Sequence, residues 1–160
     1  MTVTFLVDTN VLLRSAEPDH IMYGDAVGAT SLLLGQGEKL YIAPQNLIEF
    51  WNVYTRPINR NGLGRTVAAA KAEIDRLKSL FPIIDDLPAI YPEWERLVFT
   101  YSVKGVQVHD AKLVAAMCVH DLIPFFKSND RDGYAWYISI LSKYLDDILG
   151  ARGAPLPLAQ

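Results

Sequence analysis

Apolar positions along this chain switch repeatedly between a strand-like and a helix-like spacing. Thr4-Phe5-Leu6-Val7 is a short run of β-formers that stops at Asp8-Thr9-Asn10. Val11-Leu12-Leu13-Arg14 then continues with helix-compatible spacing. Asp8 is thereby placed at the carboxyl end of a buried parallel strand, where open α/β sheets hold their ligands. Asp25 to Gly35, with Ala26, Ala29, Leu32 and Leu33, reads as a helix stopped by Gly35-Gln36-Gly37, and Leu40-Tyr41-Ile42-Ala43 as a second strand. Pro44 opens a helix whose apolar face is Leu47, Phe50, Trp51 and Tyr54, with Glu49 off that face, and Pro57 ends it.

The alternation continues through the second half. A loop over Asn59 to Gly64, turning at Asn61-Gly62, precedes an amphipathic helix from Thr66 to Leu80. Its apolar set is Val67, Ala70, Ile74 and Leu77. Phe81-Pro82-Ile83-Ile84 reads as a short strand, and Tyr91 to Tyr101 as a helix with Trp94, Leu97, Val98 and Tyr101 on one face. Val106-Gln107-Val108 leads into His109-Asp110, and the helix from Ala111 to His120 is apolar nearly all round, which predicts a central position. Strands follow at Ile123 to Phe126 and Tyr137 to Leu141, and Gly150 to Gln160 reads as a loose tail. Strands alternating with helices predict an α/β fold with a mostly parallel sheet, in one domain over residues 1–149 with the tail at 150–160.

Composition narrows the class. With 160 residues, 51% hydrophobic and 21% charged, the chain suits a soluble globular domain that buries roughly two thirds of its unfolded surface. The first residues lack a basic segment before an apolar run, and no uncharged apolar run spans a bilayer, so a cytoplasmic protein without membrane attachment is expected. The single cysteine, Cys118, lies in an apolar run and is expected to pack as a small hydrophobe. Net charge is −3, yet no acidic residue falls between Glu49 and Glu73, where Arg56, Arg60, Arg65 and Lys71 lie. That stretch is either a solvated basic loop or an arm that contacts phosphates.

The acidic residues carry the chemistry. If Asp8, Glu49 and Asp110 converge, carboxylates within ~4 Å repel by about 4 kcal/mol per pair at an effective dielectric near 20. They must then protonate or hold a cation. Oxygen donors without a His or Cys set select Mg²⁺ or Mn²⁺ over zinc. Singly, each acid has a plain structural reading: Asp8 or Asp110 as a helix cap, Glu49 as a solvated side chain.

The segments Leu6-Val7-Asp8-Thr9-Asn10-Val11-Leu12-Leu13-Arg14, Gln45-Asn46-Leu47-Ile48-Glu49-Phe50-Trp51 and Val108-His109-Asp110-Ala111-Lys112-Leu113-Val114-Ala115-Ala116-Met117 together resemble PIN-domain proteins, in particular the VapC-like toxin ribonucleases. The resemblance runs over residues 4 to 127. It implies a three-layer α/β/α sandwich and metal-dependent cleavage of RNA at a site formed by Asp8, Glu49 and Asp110. It also implies a supporting hydrogen bond from Asn10 near Asp8, with Thr9 the weaker candidate for that role, an antitoxin partner over the cleft, and a homodimer.

A fourth acid belongs to the family pattern, in a Thr-x-Asn or Thr-x-Asp segment usually followed by Asp-Phe, and here the chain departs from it. An ungapped count from Asp110 sets Lys127 at the Thr, Asn129 at the polar position, Asp132 at the later Asp and Gly133 at the Phe. A shift of one residue sets Ser128-Asn129-Asp130 on the pattern and makes Asp130 the fourth acid, which is the preferred reading. The altered segment motivates a rival reading, a PIN-like fold kept as a non-catalytic interaction module. A phosphatase acting on small phosphates finds neither a phosphate-cradling Gly-rich loop with Lys nor a nucleophile motif.

Overall fold

Strand β1 (Thr4–Val7) sits in the middle of a parallel sheet ordered β2-β1-β3, between β2 (Lys39–Tyr41) and β3 (Ile123–Phe125). The structure, a computed structural model, describes residues 4–125. The expected strand at Tyr137–Leu141, the tail from Gly150, and Asn129, Asp130 and Asp132 lie outside those residues. Phe5 pairs with Leu40 on one side and with Ile123 on the other. The chain therefore leaves β1 toward one neighbour and returns later to the other, which makes the carboxyl end of β1 a topological switch point.

Six helices connect or follow these strands among the described residues: α1 (Thr9–Ser15), α2 (Tyr23–Gly35), α3 (Pro44–Thr55), α4 (Val67–Leu80), α5 (Ile90–Thr100) and α6 (Gln107–His120). None is long and apolar enough to cross a membrane. Strand alternation divides the interior into two cores. Leu6 enters one, with Leu97 and the buried run Leu113 to Met117, while Val7 enters the other, with Leu12, Phe50, Tyr54 and Leu77. Leu40 and Ile42 join the second core and Ala43 the first, following the same two-residue period. The nearly all-apolar α6 is central as expected, with Ala111 and Leu113 to Met117 buried. Cys118 packs against the first core but is only half-buried.

Local chemistry accounts for the element boundaries. Pro44 occupies the first turn of α3, and Asn46 Oδ1 reaches back to accept from the Ala43 backbone N–H at 2.8 Å. Thr66 caps α4 by accepting from the Ala69 N–H at 3.1 Å. Within α4 only Ala70 and Leu77 are fully buried, and Val67, expected on the same face, is exposed. Leu32 of α2 is likewise exposed, and Ala26 is the residue that helix buries.

Two expectations need correction. Phe81 to Ile84 does not form a strand: it makes an isolated parallel bridge, Ile42 to Ile83, held by Ile42 N–H to Pro82 O at 3.0 Å and Ile84 N–H to Ile42 O at 2.9 Å. Pro82 has no N–H to extend a ladder. Helix α6 begins at Gln107, four residues before Ala111, so Asp110 lies within its first turn and Val106 stands at the cap position.

Candidate functional site

The site grows from the switch point at the end of β1. Asp8 follows the strand directly, in an extended conformation, and its Oδ2 accepts from the Asn10 backbone N–H at 2.9 Å. It is thus the N-cap of α1, and the bond that reaches it from Asn10 comes from the main chain. Thr9, the next residue, is 7% exposed and its Oγ1 donates to Glu49 Oε2 at 2.9 Å. The same oxygen accepts from Asn46 Nδ2 at 3.1 Å, and Asn46 is fully buried. Asn46 therefore ties the start of α3 to the start of α1, with its other end on the Ala43 N–H.

Glu49 stands one helical turn beyond Gln45 on α3. Gln45 Nε2 donates to Glu49 Oε1 at 2.7 Å and to the His109 carbonyl at 2.8 Å. Both oxygens of Glu49 are accordingly held, one by Gln45 and one by Thr9. Asp110 follows His109, and burial first and the Glu49 charge second push its carboxyl above the ordinary value, with His109 pulling the other way. The structure thus brings Glu49 and Asp110 into one electrostatic environment and connects Asp8 to it through its neighbour Thr9. Among the described residues, no group of three or more His, Cys, Asp or Glu side chains gathers closely enough to hold a metal ion.

Sequence patterns pointed to the acids and left their fixtures unassigned. Thr9 ranked below Asn10, yet Thr9 is buried and bonded to Glu49. Gln45 and Asn46 had no assigned role. The one available signal was a polar residue, Asn46, in the first turn of a helix whose cap residue, Ala43, has no polar side chain.

The basic stretch divides into different roles. Arg56 closes α3, and its guanidinium donates to the Asn61 carbonyl at 2.8 Å while its Nε is buried without a partner among the described residues. Asn61 adopts a left-handed φ of 61°, and a Cβ on Gly62 would lie 1.9 Å from the Arg56 carbonyl oxygen, so glycine is required there. Leu63, Gly64 and Arg65 then donate to the carbonyls of Val53, Arg56 and Tyr54 and close the helix end. Arg56 staples the loop, whereas the Arg60 and Arg65 side chains belong to exposed residues. Lys71 pairs with Asp75 on α4. Tyr54 stacks on Phe50 in the core and Trp51 packs against the same core.

No family model matches the sequence, and no curated protein matches it. Among solved structures, the chain is similar to the Mycobacterium tuberculosis protein VapC20, described as a sarcin-ricin loop cleaving toxin. The match has a TM-score of 0.58 at 19% identity, over 84% of this chain and 94% of that one. Over most of both lengths this protein has the PIN-domain fold of VapC20, the fold that the segments around Asp8, Glu49 and Asp110 resemble.

Proposed function

We propose that the protein is a divalent-metal-dependent endoribonuclease of the VapC type, the toxin of a toxin-antitoxin pair, acting in the cytoplasm. One observation carries the reading: the Glu49 charge reaches Asp110, and Thr9, the residue after Asp8 at the end of β1, is bonded to Glu49, in a chain with the fold of a protein described as a sarcin-ricin loop cleaving toxin. The two cores, one on each side of the sheet, support an α/β/α sandwich of three layers, and a single domain over residues 1–149 is part of the proposal.

The donor set fits Mg²⁺ or Mn²⁺. It is made of carboxylate oxygens, and the Asp110 carboxyl, raised first by burial and then by the Glu49 charge, is one whose ionised form a nearby cation favours. Mg²⁺ needs only one or two carboxylates, with water and substrate phosphate completing its shell. Asp8, Glu49 and Asp110 would hold the ion, with Asp130 the preferred fourth acid and Asn129 and Asp132 its alternatives. Such an ion activates water and neutralises charge on a phosphodiester. Gln45 and Thr9 orient the Glu49 carboxylate, and Asp8 holds the start of α1 against the strand end. Arg60 and Arg65 contact the phosphates of single-stranded or structured RNA, and the antitoxin and a second copy of the chain are its protein partners.

The rival reading, a non-catalytic PIN-like interaction module, draws on the lack of a three-residue ligand cluster among the described residues. Titration with Mn²⁺ followed by incubation with RNA separates the two. A nuclease binds the ion through Glu49 and Asp110 and cuts RNA only when the ion is present. A protein that binds Mn²⁺ normally and leaves RNA intact with every divalent metal is an interaction module.

A further inference from the structure

Glu49 and Asp110 ride on helices that bury their apolar residues in different cores. Helix α3 buries Phe50 and Tyr54 in the core built with α1 and α4, and it packs on those two helices. Helix α6 buries Leu113 to Met117 in the other core and packs on α5. Where the start of α3 faces α6 there is a small pocket, lined by Pro44 and Gln45 on one side and by Lys112, Leu113 and Ala116 on the other. Neither core alone sets the spacing of the two carboxylates. Gln45 spans that seam, with one amide nitrogen shared between Glu49 Oε1 and the carbonyl of the residue before Asp110.

The amide can face only one way. Both of its neighbours are acceptors, so nitrogen must point at them. The consequence is that Gln45 Oε1 is buried without a partner among the described residues. A buried acceptor left unsatisfied lowers stability, and such exceptions concentrate where geometry serves something other than folding.

From this arrangement we propose that Gln45 is a positioning residue that sets the separation and orientation of Glu49 relative to Asp110 across the seam between the two cores. The inference rests on the reading of these acids as ligands of Mg²⁺ or Mn²⁺. Thr9 holds the far oxygen of Glu49 to α1, so Gln45 supplies the restraint toward α6. Without it the Glu49 carboxylate is held from one side only, and repulsion between the two acids moves it away from Asp110.

The test is calorimetric titration of the full chain with Mn²⁺ alone, for the parent and Gln45→Met, together with the electron paramagnetic resonance spectrum of the bound ion at saturation. Gln45→Met keeps the length and bulk of the side chain and removes the donor. The expected result is an affinity lower by about tenfold or more, the usual consequence of losing a partner that orients a ligand. A changed spectral shape at saturation accompanies it, while the melting temperature of the metal-free protein is unchanged or raised. Should Gln45→Met fail to fold, Gln45→Asn, with the same amide on a stem one methylene shorter, is expected to give the same loss. An affinity within twofold of the parent with an unchanged spectrum overturns the role of Gln45 and leaves the metal reading standing. A parent that binds no Mn²⁺ overturns both.

Discussion

Replacing Thr9 by Val exchanges one hydroxyl for a methyl of nearly the same size at a position 7% exposed, so the change is chemical rather than steric. Two hydrogen bonds disappear: the donation to Glu49 Oε2 and the acceptance from Asn46 Nδ2. They are unequal. Glu49 is half-buried, and water replaces the lost donor at small cost. Asn46 is fully buried, and its stranded N–H costs about 1–3 kcal/mol, to which the buried methyl returns up to about 0.8 kcal/mol. A net loss of about 1 kcal/mol follows, which for a chain of this size lowers Tm by about 2–4 °C. Helix propensity hardly enters, since Thr and Val are close on that scale. Thermal melts of Thr9→Val, Asn46→Ala and the double variant give the coupling between the two side chains, expected near 1 kcal/mol because they share one bond. A fall in Tm below 2 °C, with single effects that simply add, would refute the claim that Thr9 is fixed by Asn46.

Asp110→Asn tests the electrostatics. The folded state holds this carboxyl above its ordinary value of 3.8, so the native protein binds the last proton more tightly than the unfolded chain does. The cost of ionising it in the fold is absent well below pH 3.8 and fully present above the raised folded value. Metal-free Asp110→Asn is therefore expected to melt higher than the parent at pH 7, with the gap closing as the pH falls toward 3.8; a lower Tm at pH 7 would make Asp110 a structural residue. For RNA, Arg60→Ala with Arg65→Ala is expected to reduce the slope of log affinity against log salt by about one to two units without removing cleavage at saturating substrate. Arg56→Ala should instead lower Tm, because its guanidinium holds the Asn61 carbonyl; an unchanged slope in the double variant removes the loop from the RNA surface.

Much of the scaffold was legible before any coordinates. The strand at Thr4–Val7, the helix opened by Pro44 and closed before Pro57, the turn at Asn61-Gly62 and the central apolar helix ending at His120 are products of local rules, and each rule operates within a few residues. The places of Asp8 at a strand end and of Glu49 off the apolar face of its helix follow from the same short-range periodicities. Where the local reading erred, a neighbour was responsible: the Phe81 to Ile84 segment has strand-forming residues, but Pro82 and the single pairing site at Ile42 limit it to a bridge.

Tertiary structure decided what the acids touch. The bond from Thr9 to Glu49 spans 40 residues and the bond from Gln45 to His109 spans 64, separations over which no pattern of apolar spacing carries information. The first joins α1 to α3, which pack into one core, and the second joins α3 to α6, whose buried residues lie in the other. The raised Asp110 carboxyl likewise depends on the folded arrangement, whereas the Arg56 bond to the Asn61 carbonyl is local, five residues apart. Burial and charge proximity are properties of the folded arrangement. The sequence alone determined which side chains can carry the chemistry and on which elements they ride, since those depend on residue type and local period. Their mutual positions depend on how the two cores meet.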